Sequence, residues 1–236
     1  MMRPVLSLSL VSLATLAGCS PSASTAGDAS RTYAVSGFNA VRLAGSDNVR
    51  VVRGPAYSVL ARGPVDILDR LDIRRDGNTL IVSRKSNGMF NWSRGSATVT
   101  VTMPTIGTAD LAGSGNLSVD RVDGPLFDAS LTGSGDLSLA SVDAGSLKLR
   151  VTGSGDATAT GRARTAVFSV TGSGSITADK LTTGTASLSV MGSGDVTAHA
   201  SQSATLSVAG SGDATVQGTR NCSISKSGSG EATCTG

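Results

Sequence analysis

The chain has 236 residues, of which 16% are charged and 3% are aromatic, and it contains 30 glycines and three cysteines. The low charge excludes disorder driven by self-repulsion, and an apolar content of 39% is enough to form a buried core. Because aromatic residues are scarce, that core must be built from Ala, Val, Leu and Ile, which suits a narrow interior.

The net charge of +3 is unevenly distributed along the chain. Residues 31–105 contain 11 Lys and Arg against 5 Asp, whereas residues 106–236 contain 8 Lys and Arg against 11 Asp and Glu. A basic segment can favour an anionic lipid surface, but we favour a solvated strand surface that bears Arg. Since the Arg residues are not clustered with aromatic side chains that stack on bases, we expect no nucleic-acid partner.

The first 19 residues have the pattern of an export signal. A short positive segment that ends at Arg3 precedes an apolar run from Val5 to Leu16, which is too short to span a membrane, and Leu-Ala-Gly-Cys follows at 16–19. This ending resembles the bacterial lipobox, which implies cleavage after Gly18 and attachment of diacylglycerol to Cys19. Burial of two or more acyl chains makes such an attachment stable. The alternative is an ordinary signal peptide followed by a structural cysteine.

We therefore predict a signal peptide over residues 1–18, and a lipidated cysteine with a flexible tether over residues 19–31. Ser20 stands where an Asp would indicate retention in the inner membrane. The expected location is therefore the cell envelope, with the outer membrane favoured over the inner membrane.

The rest of the chain is dominated by a repeat. Gly-Ser-Gly recurs at intervals of 18 to 20 residues, with its first glycine at Gly113, Gly133, Gly153, Gly172, Gly192, Gly210 and Gly228. Apolar residues stand mostly two and four positions before this glycine, and four and six positions after it. The alternation predicts two short strands that face one interior from either side of a glycine corner.

A repeat of this length without a helical segment cannot close its own core, so the copies should stack on one another. We predict an all-β fold, a single-stranded right-handed parallel β-helix of about seven coils over residues 106–236. An antiparallel meander or sandwich is the alternative, but neither has any need to repeat one corner at a constant period. Residues 32–105 are predicted to form an N-terminal β-rich cap or extension of the β-helix.

Within this N-terminal part we expect a short helical turn over Val65–Leu71 and a hairpin around Asp76-Gly77. The expected strands cover residues 32–43, 47–53 and 56–61.

Several segments together resemble the head GIN domain family of auto-transporter adhesins. They are Tyr33 to Val41, Asp47 to Gly54, Asp76 to Val82 and Val99 to Pro104, followed by the Gly-Ser-Gly series. The resemblance covers most of residues 32–236. It implies a β-helical fold and a location at the cell surface or in the periplasm.

The residue after Gly-Ser-Gly is acidic in most copies, and stacking would place Asp136, Asp156, Asp195 and Asp213 in one column. Carboxylates one coil apart repel each other, so something should offset the repulsion. We favour hydrogen bonds from backbone N–H groups in the turn. The alternative is a weakly bound cation such as Ca²⁺.

Cys222 and Cys234 lie six residues before and six residues after Gly228, both in the inward register of the final repeat. In an oxidising compartment this symmetry predicts a disulfide that closes the end of the stack. Two reduced thiols are the alternative.

The segment from Lys85 to Arg94 contains Phe90 and Trp92, two of only seven aromatic residues. We favour a hydrophobic lid over the N-terminal end of the stack, and the alternative is a contact loop for a partner. His199 is the only histidine, follows the inward-facing Ala198, and is therefore expected to point to solvent without a role.

The Ser residues lack a His/Asp context and no Cys/His metal set remains, so we expect neither an enzyme nor a metal or cofactor. The predicted function is that of a non-enzymatic, lipid-anchored envelope or surface protein, an adhesin or a structural interaction module. A periplasmic sensing or regulatory partner protein is the alternative, and a polysaccharide-acting β-helix enzyme is less favoured. The expected partners are the membrane, through the N-terminal lipid, and an unidentified protein or glycan; self-association through the open ends is a further option.

Overall fold

The structure is a computed structural model that describes residues 29–85 and 95–236. In these residues it contains seventeen strands, all joined in one hydrogen-bonded sheet, and one short helix, α1 (Val65–Arg70). The strands are β1 (Ala29–Tyr33), β2 (Ala40–Gly45), β3 (Asn48–Arg53), β4 (Ser58–Gly63), β5 (Leu71–Asp76), β6 (Thr79–Arg84), β7 (Thr98–Met103), β8 (Thr108–Gly113), β9 (Asn116–Val119), β10 (Val122–Gly133), β11 (Asp136–Gly153), β12 (Asp156–Gly172), β13 (Ser175–Gly192), β14 (Val196–Gly210), β15 (Ala214–Gln217), β16 (Cys222–Gly228) and β17 (Ala232–Thr235).

The long strands stack in parallel with a register of one repeat. β11 pairs with β12, β12 with β13 and β13 with β14, and the first glycine of each Gly-Ser-Gly lies beside that of the next. The predicted parallel β-helix is therefore confirmed, as a β-solenoid of about six turns rather than seven. The alternation of apolar and polar residues in each strand is what fixes this register, because a slip by one residue would turn every core side chain outward.

Each coil has three parts, which we name after the Gly-Ser-Gly corner. The pre-corner face leads into the corner, as residues 146–153 do in β11, and the post-corner face leaves it, as residues 136–139 do. The connecting side joins the post-corner face of one coil to the pre-corner face of the next, as residues 140–145 do. The core lies between the two faces.

The core consists of columns of like side chains. On the pre-corner face Leu149, Phe168, Leu188 and Leu206 lie one above the other, and each is at most 1% exposed. Burial of one such side chain stabilises the fold by about 1.5–3 kcal/mol. Every coil therefore depends on its neighbours above and below for the burial of its own aliphatic groups.

The corner glycines are required by the closeness of the coils. Ser154 N and Gly155 N both donate to the carbonyl oxygen of Gly133, at 2.9 Å and 3.0 Å. Gly153 has a φ of +118°, and a Cβ atom at this position would collide with the Gly133 carbonyl of the coil before it. A side chain at Gly155 would collide in the same way with Gly135. These two close contacts explain why both positions are glycine. The serine between them is exposed.

The N-terminal part both begins the solenoid and covers its end. Strands β2 and β3 pair with β8 and β9 on one side, and with β6 and β7 on the other, all in parallel. Outside these, β5 runs antiparallel to β6, β4 antiparallel to β7, and β1 antiparallel to β4. The coil formed by β2 and β3 is therefore the second in the stack, because the coil formed by β6 and β7 lies between it and the capped end.

The predicted helical turn and hairpin are present. Ile67 and Leu68 of α1 are buried against the core, while Asp66 in the first turn and Arg70 in the last turn complement the helix dipole. The hairpin joins β5 to β6 through Gly77, which has a φ of +55°.

The single strand predicted over residues 32–43 is wrong, because two strands with different partners occupy it. β1 ends at Tyr33 and β2 begins at Ala40. Between them Gly37 has a φ of +76°, and Phe38 turns inward to pack on Tyr57, with ring centroids 4.9 Å apart. β1 also begins at Ala29, within the last three residues of the segment expected to be a tether. Over residues 29–85 and 95–236, no helix is long and apolar enough to cross a membrane.

Replacement of Gly153 by Ala should lower the free energy of unfolding by about 1–3 kcal/mol, because the new Cβ meets the Gly133 backbone at a positive φ. The control is Ser154→Ala in the same exposed corner, which should change the value by less than about 0.5 kcal/mol. Urea denaturation followed by circular dichroism compares the two variants, and equal losses would contradict the packing argument.

Candidate functional site

The acidic column lies on the post-corner face as expected. Asp136 pairs with Asp156, and Asp156 with Ser175. The carboxylates of Asp156, Asp195 and Asp213 each accept a hydrogen bond from the backbone N–H of the equivalent residue one coil further on, at 3.0, 2.9 and 2.7 Å. These donors belong to the next coil rather than to the same turn. They offset the repulsion within the column by linking adjacent coils.

No cation site is visible in this column. Within the part of the chain that the structure describes, no group of three or more His, Cys, Asp or Glu side chains is arranged to hold a metal ion.

A second outward column, of hydroxyl groups, runs beside the acidic one. It consists of Ser118, Ser138, Thr158, Thr177, Thr197, Thr215 and Thr233. The Thr158 hydroxyl donates to Ser138 Oγ at 3.2 Å. The post-corner face therefore presents the same polar groups at every coil, about 4.8 Å apart.

The two terminal cysteines meet in the last coil. The structure joins Cys222 of β16 and Cys234 of β17 in a disulfide, with Cα atoms 6.6 Å apart. The bond links the two faces of a coil whose inward side chains are only partly covered, since Ile224 is 48% exposed. A covalent link is useful there because side-chain burial contributes less than in the inner coils.

A buried ion pair at the first corner was not predicted from the sequence. Asp47 is 1% exposed, and its carboxylate accepts bonds from Arg84 Nε at 2.8 Å, from Arg84 Nη2 at 2.6 Å and from Ala97 N at 2.8 Å. The hydrogen bond to Asp47 raises the pKa of the Arg84 guanidinium above its ordinary value. The signal that could have found Asp47 is Gly45-Ser46-Asp47 itself, a variant Gly-Ser-Gly whose Gly45 pairs with Gly113.

Arg84 of this ion pair also contacts the residue that follows the segment with Phe90 and Trp92. Arg84 Nη2 also donates to the carbonyl oxygen of Gly95 at 2.9 Å, so one guanidinium holds residues on either side of 86–94. Phe90 and Trp92, the candidate contact residues, lie outside the described residues, as does Cys19, the candidate lipidation site.

His199 does not point freely to solvent, so that expectation is wrong. The coil from Gly192 to Gly210 is two residues shorter than the one before it, and His199 pairs with Thr182 on the connecting side. Its ring packs against Gly218 of the next coil. Within the described chain, its Nδ1 is buried and has no hydrogen-bond partner.

A groove with a net positive lining opens on the connecting side, across four coils. Its lining residues are Arg121, Ser141, Val142, Asp143, Gly161, Arg162 and Thr182. Arg162 donates from Nε and Nη2 to the two carboxylate oxygens of Asp143, at 2.9 Å and 2.6 Å. This hydrogen-bonded pair, with a smaller electrostatic contribution from Arg121, lowers the pKa of Asp143 below its ordinary value. The sequence did not reveal the groove, because its side chains come from separate repeats.

The chain matches a known family. Residues 37–220 match the family described as the head GIN domain of putative auto-transporter adhesins. The chain belongs to the head GIN domain family. The resemblance noted from the sequence is thereby confirmed. Among curated proteins, none matches the chain.

Several solved structures are similar to this fold. A putative adhesin from Bacteroides fragilis is 25% identical, with a TM-score of 0.79 over 88% of this chain and 96% of that one. A putative lipid binding protein from Parabacteroides distasonis is 19% identical, with a TM-score of 0.70 over 89% and 97%. A putative adhesin from the same species is 18% identical, with a TM-score of 0.68 over 89% and 98%. The last two identities are low enough that they show the fold alone.

Asp47→Ala should destabilise the GIN domain by about 3 kcal/mol or more, because it leaves Arg84 and the Ala97 N–H without their acceptor in a buried place. Asp72→Ala is the matched control: Asp72 forms an exposed ion pair with Arg74 and should cost less than about 1 kcal/mol. Chemical denaturation measures both variants. A loss for Asp47→Ala no larger than the control's would refute a structural role for the buried pair.

Alkylation of the unfolded, unreduced chain should leave Cys222 and Cys234 unmodified, and prior reduction should expose both. Reduction should lower the free energy of unfolding by about 3 kcal/mol, the chain-entropy value for a loop of this size. Peptide mass mapping detects which cysteines are alkylated, and thermal unfolding measures the loss of stability on reduction. Alkylation of both cysteines before reduction would show that the thiols are free.

Proposed function

We propose that this protein is a non-enzymatic, lipid-anchored adhesin of the cell envelope, held at the capped end of its solenoid and presenting its repeated faces away from the membrane. The observation that carries this proposal is the position of β1. Among the described strands, β1 pairs with β4 alone, in the outermost layer of the capped end.

If Cys19 carries the lipid, the position of β1 sets the end of the solenoid that faces the membrane. Only nine residues lie between Cys19 and Ala29, so the Cα atoms of these two residues are at most about 35 Å apart. An acyl group on Cys19 would therefore keep the capped end near the bilayer. The Gly-Ser-Gly coils follow in order away from it, and the last coil lies farthest from the anchor.

The repeated faces suit adhesion to an extended partner. Each coil presents a hydroxyl and, in most copies, a carboxylate at equivalent positions, so weak contacts can be made several times along one polymer or surface. Contacts made from one rigid support reinforce one another, because each bound contact raises the effective concentration of the next. The family and two of the similar solved structures are named as adhesins, which supports a non-enzymatic role at the surface or in the envelope.

The outer membrane is the location that we propose for the anchor, on the basis of Ser20 after Cys19. The name of the lipid binding protein from Parabacteroides distasonis is compatible with a place at a membrane.

Cys19→Ser should abolish incorporation of a labelled fatty acid and move the protein from the membrane fraction to the soluble fraction, because no acyl chain remains to be buried. Ser20→Ala, the neighbouring control, should leave both unchanged. Protease treatment of intact cells should then remove the wild-type protein, and cells that produce only Cys19→Ser should adhere as weakly as a deletion strain.

Unchanged labelling in Cys19→Ser would refute the anchor. Protection of the wild-type protein from protease in intact cells would refute the adhesin and favour a periplasmic sensing or regulatory role.

A further inference from the structure

We propose that the groove on the connecting side binds an acidic glycan, a chain of sugar rings that carry carboxylates. The inference rests on the proposed adhesive function and names the chemical class of partner that one surface of the solenoid would recognise.

The base of the groove is free of side-chain bulk. Gly161 has a φ of +122°, and a Cβ atom there would collide with the backbone of Val142 one coil below. Val142 itself is buried, with 2% of its surface exposed. The exposed backbone of Gly161, which lies over the buried Val142, therefore leaves room at the base of the groove for the C–H face of a sugar ring.

The Asp143–Arg162 pair supplies donors and acceptors side by side. Arg162 uses Nε and Nη2 for Asp143, which leaves Nη1 for a ligand, and its side chain is 75% exposed. Asp143 stays ionised into acidic solution because Arg162 lowers its pKa, and its oxygens have lone pairs beyond those that Arg162 occupies. Adjacent hydroxyls of a sugar both donate and accept, so a planar pair of this kind matches them.

Arg121 supplies the recognition of a carboxylate. Among the residues that the structure describes, Arg121 forms one ion pair, a long one from Nε to Asp123 at 3.3 Å, and its side chain is 55% exposed. Asp123 is also bound by Arg53 on its other oxygen. The two terminal nitrogens of Arg121 are thus available for a bidentate bond, the geometry in which arginine binds carboxylates.

The charge of the lining favours an acidic glycan over a neutral one. Two arginines and one aspartate face the groove, and Asp123 beside it is already paired with Arg53. The lining residues come from four successive coils, so the groove extends about 14 Å along the solenoid axis at the usual strand spacing. That length accommodates a short oligosaccharide rather than a single sugar.

The test is calorimetric titration of the full chain with oligogalacturonate, with a neutral galactan oligosaccharide and with polyglutamate, a polyanion that has no sugar ring. Oligogalacturonate should bind at least ten times more tightly than either of the other two. Ser141→Trp, which fills the groove from an exposed position, and Arg121→Gln, which removes the carboxylate fork, should each weaken binding at least tenfold.

Two control variants match these changes away from the groove. Thr205→Trp adds the same bulk to the exposed pre-corner face, and Arg150→Gln removes an arginine that is 49% exposed and paired with Asp128. Both should bind oligogalacturonate within twofold of the unmodified chain. Equal binding of polyglutamate would show that charge alone is recognised, and undiminished binding by Ser141→Trp would place the ligand elsewhere; either result overturns the inference.

Failure of the groove and failure of the proposed function have different signatures. If cells with Ser141→Trp adhere normally while the deletion strain does not, the groove inference falls and the adhesin stands. If the purified chain binds oligogalacturonate through the groove but the deletion strain adheres normally, the glycan site stands and the adhesive function falls.

Discussion

Backbone-to-backbone contact at the corner is the constraint on which the rest of the structure depends. Both glycines of each triplet lie so close to the previous coil that no Cβ atom fits. In the first six triplets the N–H groups of the second and third residues share one carbonyl oxygen. Once the corners are aligned, the period-2 pattern of each face brings like residues into register. The core columns, the hydroxyl column and the acidic column all follow from that alignment.

Stacking of identical charged residues brings like charges close together, and two kinds of interaction offset their repulsion. Where carboxylates stack, as at Asp195 and Asp213, each accepts an N–H from the coil above, which replaces water with a fixed donor. On the connecting side, charges of opposite sign in adjacent coils form ion pairs, as Asp143 and Arg162 do. The first arrangement holds the stack together, whereas the second leaves charged groups exposed at a concave surface where a ligand can reach them.

The repeated part of the fold could be predicted from the sequence because its information is local. Seven copies of one corner with one pattern of alternation allow few other folds. The position of β2 and β3 inside the stack could not be predicted in this way, since it depends on strands that pair over long separations, such as β2 with β6 and β4 with β7. Asp47 was missed because it replaces the last glycine of the variant corner. The groove and the position of His199 depend on coils of unequal length, which shift the register on the connecting side while the corners stay aligned.

The capped end contains strands from the beginning of the chain and from residues close to 103, so it is complete before most of the repeats are needed. Because the polypeptide is synthesised from its N-terminus, this capped end can fold first and offer an open edge to which each later segment is added. In this order of folding, every new strand pairs with a strand that is already folded. Gain or loss of a whole repeat therefore changes the length of the solenoid but leaves the capped end, where folding begins, unchanged.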